Sequence, residues 1–99
     1  MITVIRTYTI QPEKRAEAFA HVAKQAAYIP GKYGGSNISV LRNVAGPSNQ
    51  VHSISNWESL AAWEEGQKQI AQDAEIQEMV AQGRGMFLSV TIALYESIS

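Results

Sequence analysis

The chain has 99 residues, of which 45% are hydrophobic, with a formal net charge of −1 at pH 7 and no cysteine. A chain of this length is expected to form a single domain, residues 1–99, and nothing in its balanced charge suggests nucleic acid or a membrane as a partner. The lack of cysteine excludes disulfides, thiolate nucleophiles and zinc–thiolate sites. Because so small a domain buries only about 60–65% of its unfolded surface, we expect oligomerisation to add to the buried area.

Signals for targeting and for cofactors are missing from the chain. No segment approaches the roughly 20 consecutive apolar residues of a membrane-spanning helix. The first residues alternate, without the basic start and continuous apolar run of a signal peptide, which predicts a cytoplasmic protein. The sequence contains no nucleophile elbow, His-Glu-x-x-His pair, phosphate loop or dinucleotide fingerprint. With only two histidines in the chain, we expect neither a bound metal nor another cofactor.

The first third of the chain predicts a strand followed by a helix. Ile2 to Ile10 alternates and is rich in threonine and β-branched residues, which favours a strand. Pro12 opens a helix in its permitted first turn, and Pro30-Gly31 ends it. The apolar residues of this helix recur at helical spacing, at Phe19, Val22, Ala23, Ala26 and Ile29. His21 lies outside that stripe, and we expect it at the surface.

The middle of the chain predicts a β-hairpin. Asn37 to Val44 forms the second strand, with Ile38, Val40 and Val44 on one face. The turn residues Gly46-Pro47-Ser48-Asn49 then reverse the chain. Gln50 to Trp57 returns as the third strand.

The last part of the chain predicts a second helix and a final strand. Ser59 is a suitable N-cap for the helix, which we expect to bend or restart around Asp73. Its inner side carries Leu60, Trp63, Ile70 and Ala74. After Gly83-Arg84-Gly85, residues Phe87 to Ser97 form a strand with an apolar face of Leu88, Val90, Ile92 and Leu94.

This β-α-β-β-α-β order predicts a ferredoxin-like α+β sandwich, a four-stranded antiparallel sheet with two helices on one face. The second face of the sheet is then bare, semi-polar and dotted with aromatic residues. Pairing two copies of the chain through this face would bury it and enclose a cavity in each subunit.

Four short motifs of the chain occur together in one known family. They are Arg6-Thr7-Tyr8-Thr9, Gly34-Gly35, Gly46-Pro47-x-Asn49-Gln50-Val51 and Ser59-Leu60. At these spacings the sequence resembles the NIPSNAP family, a branch of the dimeric α/β-barrel superfamily that includes the antibiotic-biosynthesis monooxygenases. The resemblance implies a homodimer, in which two sheets form a barrel and a pocket lies between each sheet and its helices or its partner. It implies no particular reaction.

The chain departs from the family pattern in its third strand. The resemblance implies a His where Ser53 stands, and aromatic residues near Leu41 and Ser55. His52 is one residue away, and adjacent residues of a strand face opposite sides of the sheet. The resemblance does not extend to the haem-degrading members of the superfamily, because strand one offers Thr7 instead of their Asn and no His follows His52.

Several residues have the types that cofactor-free monooxygenases of this superfamily use around a phenolic or quinoid substrate. In such chemistry the substrate supplies the electrons, and the protein deprotonates it, stabilises the anion and excludes water. As catalytic candidates, His52 could act as the base, Arg6 could hold the anion, and Asn56 could donate a hydrogen bond to oxygen or peroxide. The candidate ligand-binding residues are Tyr8, Trp57, Trp63 and Tyr95.

Each candidate also has a purely structural interpretation. His52 could bond only to a neighbouring side chain or to solvent, and Trp57 could be a core residue whose indole N–H finds a backbone carbonyl. Arg6, Tyr8 and Tyr95 could bond to one another inside the barrel. Three functions therefore stay open: a homodimer that binds a small hydrophobic or aromatic molecule, a cofactor-independent monooxygenase, and a structural dimer without a ligand.

Overall fold

A computed structural model describes residues 1–98. The elements are β1 (Ile2–Ile10), a 3-10 turn (Pro12–Lys14), α1 (Arg15–Lys32), β2 (Ser36–Arg42), β3 (Gln50–Trp57), α2 (Leu60–Gln72), α3 (Ala74–Ala81) and β4 (Phe87–Glu96). The strands form one antiparallel sheet in the order β2-β3-β1-β4. This is the ferredoxin-like α+β fold that the sequence predicts, with the second predicted helix divided into α2 and α3.

The helices lie on one side of the sheet, the side on which β1 presents Val4, Arg6 and Tyr8. A hydrophobic core between the helices and this side contains Tyr8, Ile10, Ala18, Val22 and Val51. The other side, which we call the open face, has no helix of the described residues packed on it. By strand alternation and register, it carries Thr3, Ile5 and Thr7 of β1, His52, Ile54 and Asn56 of β3, and Thr91, Ala93 and Tyr95 of β4. None of the helices within residues 1–98 has the length and apolarity that crossing a bilayer requires.

Helix α1 differs from its prediction at its C-terminal end. It continues through Pro30 to Lys32 instead of ending at Pro30-Gly31. Pro30 lacks an N–H but keeps its carbonyl, which accepts hydrogen bonds from the N–H groups of Tyr33 at 3.3 Å and Gly35 at 2.8 Å. These bonds close the helix two residues later than the proline would indicate.

The prediction that His21 lies at the surface is wrong. Its side chain is only 8% exposed, and its Nε2 lies 2.9 Å from Nε2 of the buried Gln25. Its ring packs beside Phe87 and over Gly83, where a Cβ would clash with it. Burial, followed by the positive charge of Lys24, lowers the pKa of His21. A neutral His21 accepts the hydrogen bond that the Gln25 amide donates.

The two outer strands, β2 and β4, expose apolar residues that the predicted stripes would bury. Strand β2 ends at Arg42, so Val44 lies beyond it and is fully exposed, and a register irregularity lies between Asn37 and Ser39. Strand β4 is the edge strand next to β1, and its Leu88, Val90 and Ile92 are each about half exposed. Alternation identified the faces of β4, but this outer strand lies beyond the area that the helices cover, so these side chains stay exposed.

The predicted restart of the second helix at Asp73 is confirmed. Ser59 caps α2, its Oγ accepting from the Ala62 N–H at 3.0 Å, and Asp73 caps α3, its Oδ1 accepting from the Ile76 N–H at 3.0 Å. The other carboxylate oxygen of Asp73 lies 2.6 Å from the Lys32 ammonium and accepts from the Tyr33 hydroxyl at 2.8 Å. This carboxylate therefore ties the end of α1 to the junction of α2 and α3.

Candidate functional site

A cavity of about 110 Å³ lies between the sheet and the helices. The sheet contributes Arg6 and Tyr8 of β1 and Ser53 of β3, while the helices contribute Gln25 of α1 and residues of α2. The site follows from strand alternation, since every second residue of β1 and β3 points toward the helices. Small residues at Ser53 and Ser55, where bulkier residues would fill the space, leave room above the sheet.

Arg6 is the charged residue of this cavity. Its Nη2 donates to Oε1 of Gln67 at 3.1 Å, and its side chain is half-buried. No Asp or Glu is found among the cavity-lining residues of the described chain. The guanidinium has five N–H donors, and within residues 1–98 its side chain forms one recorded bond, to a neutral amide.

Trp63 presents a second donor. Its indole Nε1 is shielded from solvent and, within residues 1–98, has no hydrogen-bond partner. Trp63 lies four residues before Gln67 on α2, so the two side chains stack one turn apart on the face that meets Arg6. A buried N–H without an acceptor is uncommon in proteins.

Trp57 is a core residue that also lines the cavity. The side chain is 3% exposed, and its Nε1 donates to the Ser55 hydroxyl at 3.1 Å, not to a backbone carbonyl. Its ring lies against Gly35 and Gly66, which have no side chain to obstruct it. The ring is thus a core element that also forms part of the cavity wall.

Tyr8 is buried and packs on Phe87, with ring centroids 5.1 Å apart. It lines the same cavity as Arg6. The structural alternative in which Arg6, Tyr8 and Tyr95 bond to one another is not seen within this described subunit, since Tyr95 lies on the open face and Arg6 bonds to Gln67.

His52 lies on the open face, in a hydrogen-bond network of its own. Its Nδ1 is 2.9 Å from the Thr7 hydroxyl and its Nε2 is 2.6 Å from Oδ1 of Asn43. The Asn43 amide donates to Pro47 O and to Oε1 of Gln50. Asn43 Oδ1 is therefore the acceptor, and His52 Nε2 carries the proton of that hydrogen bond.

Asn56 and Tyr95 share the open face with His52. Asn56 accepts from the Thr3 hydroxyl through its Oδ1 at 2.8 Å, and Tyr95 is 54% exposed. The two residues lie on either side of Thr3, their common register partner. A ligand or another chain could reach them on the open face. They do not line the cavity on the helix side.

The structure therefore divides the seven candidate residues into two groups. Arg6, Tyr8, Trp57 and Trp63 surround the cavity, whereas His52, Asn56 and Tyr95 lie across the sheet. The set Arg6, His52, Asn56 and Trp57 does not share one cavity within residues 1–98, because neighbouring strand residues point to opposite faces. No three His, Asp, Glu or Cys side chains of the described chain lie close enough together to hold a metal ion.

Sequence reasoning missed polar residues of the cavity, among them Gln67 and Gln25. Gln67 carries an available signal, since it follows Trp63 by one helical turn and so shares its face. Gln25 shares a helix face with His21 by the same spacing, but both are polar, and nothing in the pattern marks them as buried.

A sheet covered by helices on one face, with a cavity between the two layers, defines the class: a ferredoxin-like domain with an internal pocket. Residues 3–91 match the NIPSNAP family. The chain belongs to that family, as its motifs indicated. No curated protein matches the chain in sequence.

Solved structures share this fold. An uncharacterized NIPSNAP domain protein from Burkholderia xenovorans has a TM-score of 0.88 at 15% identity, covering 100% of this chain and 96% of its own. A NIPSNAP family protein from Agrobacterium tumefaciens has a TM-score of 0.84 at 22% identity, covering 96% and 90%. A putative antibiotic biosynthesis monooxygenase from Nitrosomonas europaea has a TM-score of 0.71 at 12% identity, covering 100% of both chains. At these identities the likeness shows the fold alone.

Proposed function

We propose that this protein binds a small, partly aromatic molecule in the cavity between its sheet and its helices. The observation that carries the proposal is the composition of the cavity, where the rings of Tyr8, Trp57 and Trp63 meet the guanidinium of Arg6. Ligand pockets typically combine apolar and aromatic walls with a few convergent polar groups.

The size of the cavity limits the ligand. Its volume of about 110 Å³ is below the roughly 300–1,000 Å³ of pockets for drug-sized molecules. It is closer to the cavity of about 150 Å³ that holds benzene in an engineered protein. The part of the ligand that enters the cavity is therefore about one ring in size.

We further propose that the protein is a homodimer, formed in the cytoplasm by pairing the open faces of two sheets. Ile5 and Ile54 are direct register partners near the centre of the open face, and Ala93 lies beside them. An apolar centre surrounded by His52, Asn56 and Tyr95 suits an interface with an apolar core and a polar rim. The open face of a second copy has the same four strands and therefore the same dimensions, so it can cover this surface completely.

Native mass spectrometry of the freshly purified protein tests both parts of this proposal. We expect a dimer carrying an additional mass that is lost under denaturing conditions. I54E should give a monomer, because it buries two unpaired carboxylates at the dimer centre. A20E, at an exposed position of α1, is the matched control and should stay dimeric.

The other outcomes are equally specific. A wild-type monomer would contradict the pairing of open faces. A clean dimer without additional mass, which also fails to take up any single-ring probe, would support the third function, a structural dimer without a ligand.

The alternative function is a cofactor-independent monooxygenase acting on a phenolic or quinoid substrate. It is favoured by the fold shared with the putative antibiotic biosynthesis monooxygenase from Nitrosomonas europaea. Such an enzyme would transfer electrons from the substrate anion to oxygen, with Arg6 holding the anion.

Oxygen uptake with a panel of quinols tests this alternative. If the chemistry occurs on the open face, H52Q and N56A should each reduce the rate by about 100-fold, as for loss of a general base or an electrostatic donor. If it occurs in the cavity, R6Q should reduce the rate and H52Q should not. No uptake above that of a heat-denatured sample would reject the alternative.

A further inference from the structure

Two groups of the cavity lining call for an acceptor: the one charge there is positive, and a buried donor has no partner within residues 1–98. Arg6 is the only charged residue that lines the cavity within the described chain. The ion pairs of the described residues, Lys14–Glu17 and Lys32–Asp73, lie elsewhere. A half-buried guanidinium whose side-chain partner is a neutral amide lacks the counter-charge that such groups usually have.

The second donor strengthens this argument independently. The indole of Trp63 can donate but cannot accept, and its N–H is shielded without a partner in residues 1–98. Donors of this kind are normally satisfied by protein, water or a ligand. Because Trp63 lines the cavity, an acceptor for this N–H would lie on the side of the cavity where α2 meets β1.

Gln67 shows how the two donors are related. It accepts from Nη2 of Arg6, so the guanidinium is fixed against α2 while its remaining N–H groups stay available. Trp63 is one turn away on the same helix face. A ligand group with two acceptor oxygens in one plane could accept hydrogen bonds from the paired N–H donors of the Arg6 guanidinium and from the Trp63 N–H together.

We infer that the ligand is a planar carboxylate of about one ring, with its carboxylate oxygens held by Arg6 and Trp63 and its ring among Tyr8, Trp57 and Trp63. The inference rests on the proposed function, since it specifies the chemical class of the ligand in the same cavity. It assigns Arg6 as the charge partner and Trp63 as a neutral donor.

Three probes of the same ring size test it: benzoate, the neutral benzamide and toluene, which lacks any acceptor. The chain has two tryptophans, so an NMR spectrum of the ¹⁵N-labelled protein shows two indole N–H signals, and W63F identifies which one belongs to Trp63. Benzoate should shift the Trp63 signal far more than that of Trp57, which already donates to Ser55. Benzoate should bind at least about tenfold more tightly than benzamide, as for a charge-assisted pair.

Three variants distinguish the charge of Arg6, the hydrogen bond of Trp63 and the integrity of the fold. R6Q should remove the preference for benzoate over benzamide while toluene still binds, which shows that the cavity is intact. W63F should weaken benzoate by roughly two- to tenfold more than it weakens toluene, because both probes meet the same smaller wall but only benzoate loses a neutral hydrogen bond. For W63F the backbone amides of Ser53 and Gln67 report binding. Q69A, on the exposed side of α2, is the control and should behave as the wild type.

The failures can be told apart. If none of the three probes shifts any cavity signal, the proposed binding function fails. If toluene or benzamide binds as tightly as benzoate, or if R6Q keeps the benzoate preference, the binding function stands and the carboxylate inference is overturned.

Discussion

Replacing Gly66 by alanine is expected to destabilise the protein by about 1–3 kcal/mol, the usual cost of overpacking a core. The expected sign is opposite to helix propensity, which favours alanine over glycine by about 1 kcal/mol inside a helix. Gly66 lies within α2 and is buried. A Cβ there would lie 2.5 Å from Cζ3 of Trp57 and 3.3 Å from the Tyr33 carbonyl oxygen. The indole is held in place by its bond to Ser55, and so cannot withdraw freely.

Gly31 provides a matched control, because it is also helical but has nothing within 4 Å of its Cβ position. G31A should be neutral or stabilise the protein by up to about 1 kcal/mol. Urea unfolding of both variants, followed by tryptophan fluorescence, measures the difference. If G66A is as stable as G31A, the contact between Trp57 and α2 does not constrain the fold.

G66A should also alter the cavity, because the Trp57 ring forms one of its walls. If G66A unfolds at a higher urea concentration than expected but no longer binds a single-ring probe, the Trp57 ring has moved into the cavity. The stability and binding measurements on this one variant therefore report on the same packing contact.

The second large effect expected is a pH-dependent loss of stability at the junction of α1, α2 and α3. The Lys32 ammonium, then the Ile76 N–H and the Tyr33 hydroxyl, hold the pKa of Asp73 far below its ordinary 3.8. The carboxylate is thus favoured in the folded state. Its contribution to stability is present above about pH 4 and is lost as the pH falls below that value toward the folded pKa.

The two residues that pair with Asp73 make stability depend on pH at the alkaline end as well. The Asp73 carboxylate raises the pKa of Lys32 above its ordinary 10.5 and that of Tyr33 above 10.0. The contribution of both groups is complete below about pH 10 and decreases as the pH rises through their folded pKa values. Between these limits the stability due to this cluster should be independent of pH.

Thermal unfolding at a series of pH values tests both the acid and the alkaline loss of stability, which we call the acid and the alkaline limb of the stability curve. D73N should be less stable than the wild type at neutral pH and should lose less stability on acidification, while K32M should flatten the alkaline limb. E17Q, which removes an exposed pair with Lys14 at 3.9 Å, is the control and should follow the wild type. If D73N has the same acid limb as the wild type, Asp73 is not the group that titrates.

Much of the fold could be predicted from local chemistry. Strands β1 and β3 have the predicted bounds, because alternation and flanking turn residues define them. The cap at Ser59 could likewise be predicted, since short polar side chains preceding a helix satisfy its first N–H groups, and the helix restarts around Asp73 as predicted. His21 could not be placed in this way. It is buried because Gly83 and Phe87, more than 60 residues away, make room for its ring.

The sequence by itself determined the class of fold, the family and which residues share a strand face, because periodicity, turns and caps are local properties. It therefore placed Arg6 and Tyr8 together and separated His52 from Ser53. Only the tertiary structure decided which of the two faces the helices cover, and so which candidates surround a cavity. It also showed that Arg6 meets Gln67 and that the Trp63 N–H has no partner within the described chain. These contacts join residues from distant parts of the chain, and packing alone determines whether each polar group is paired.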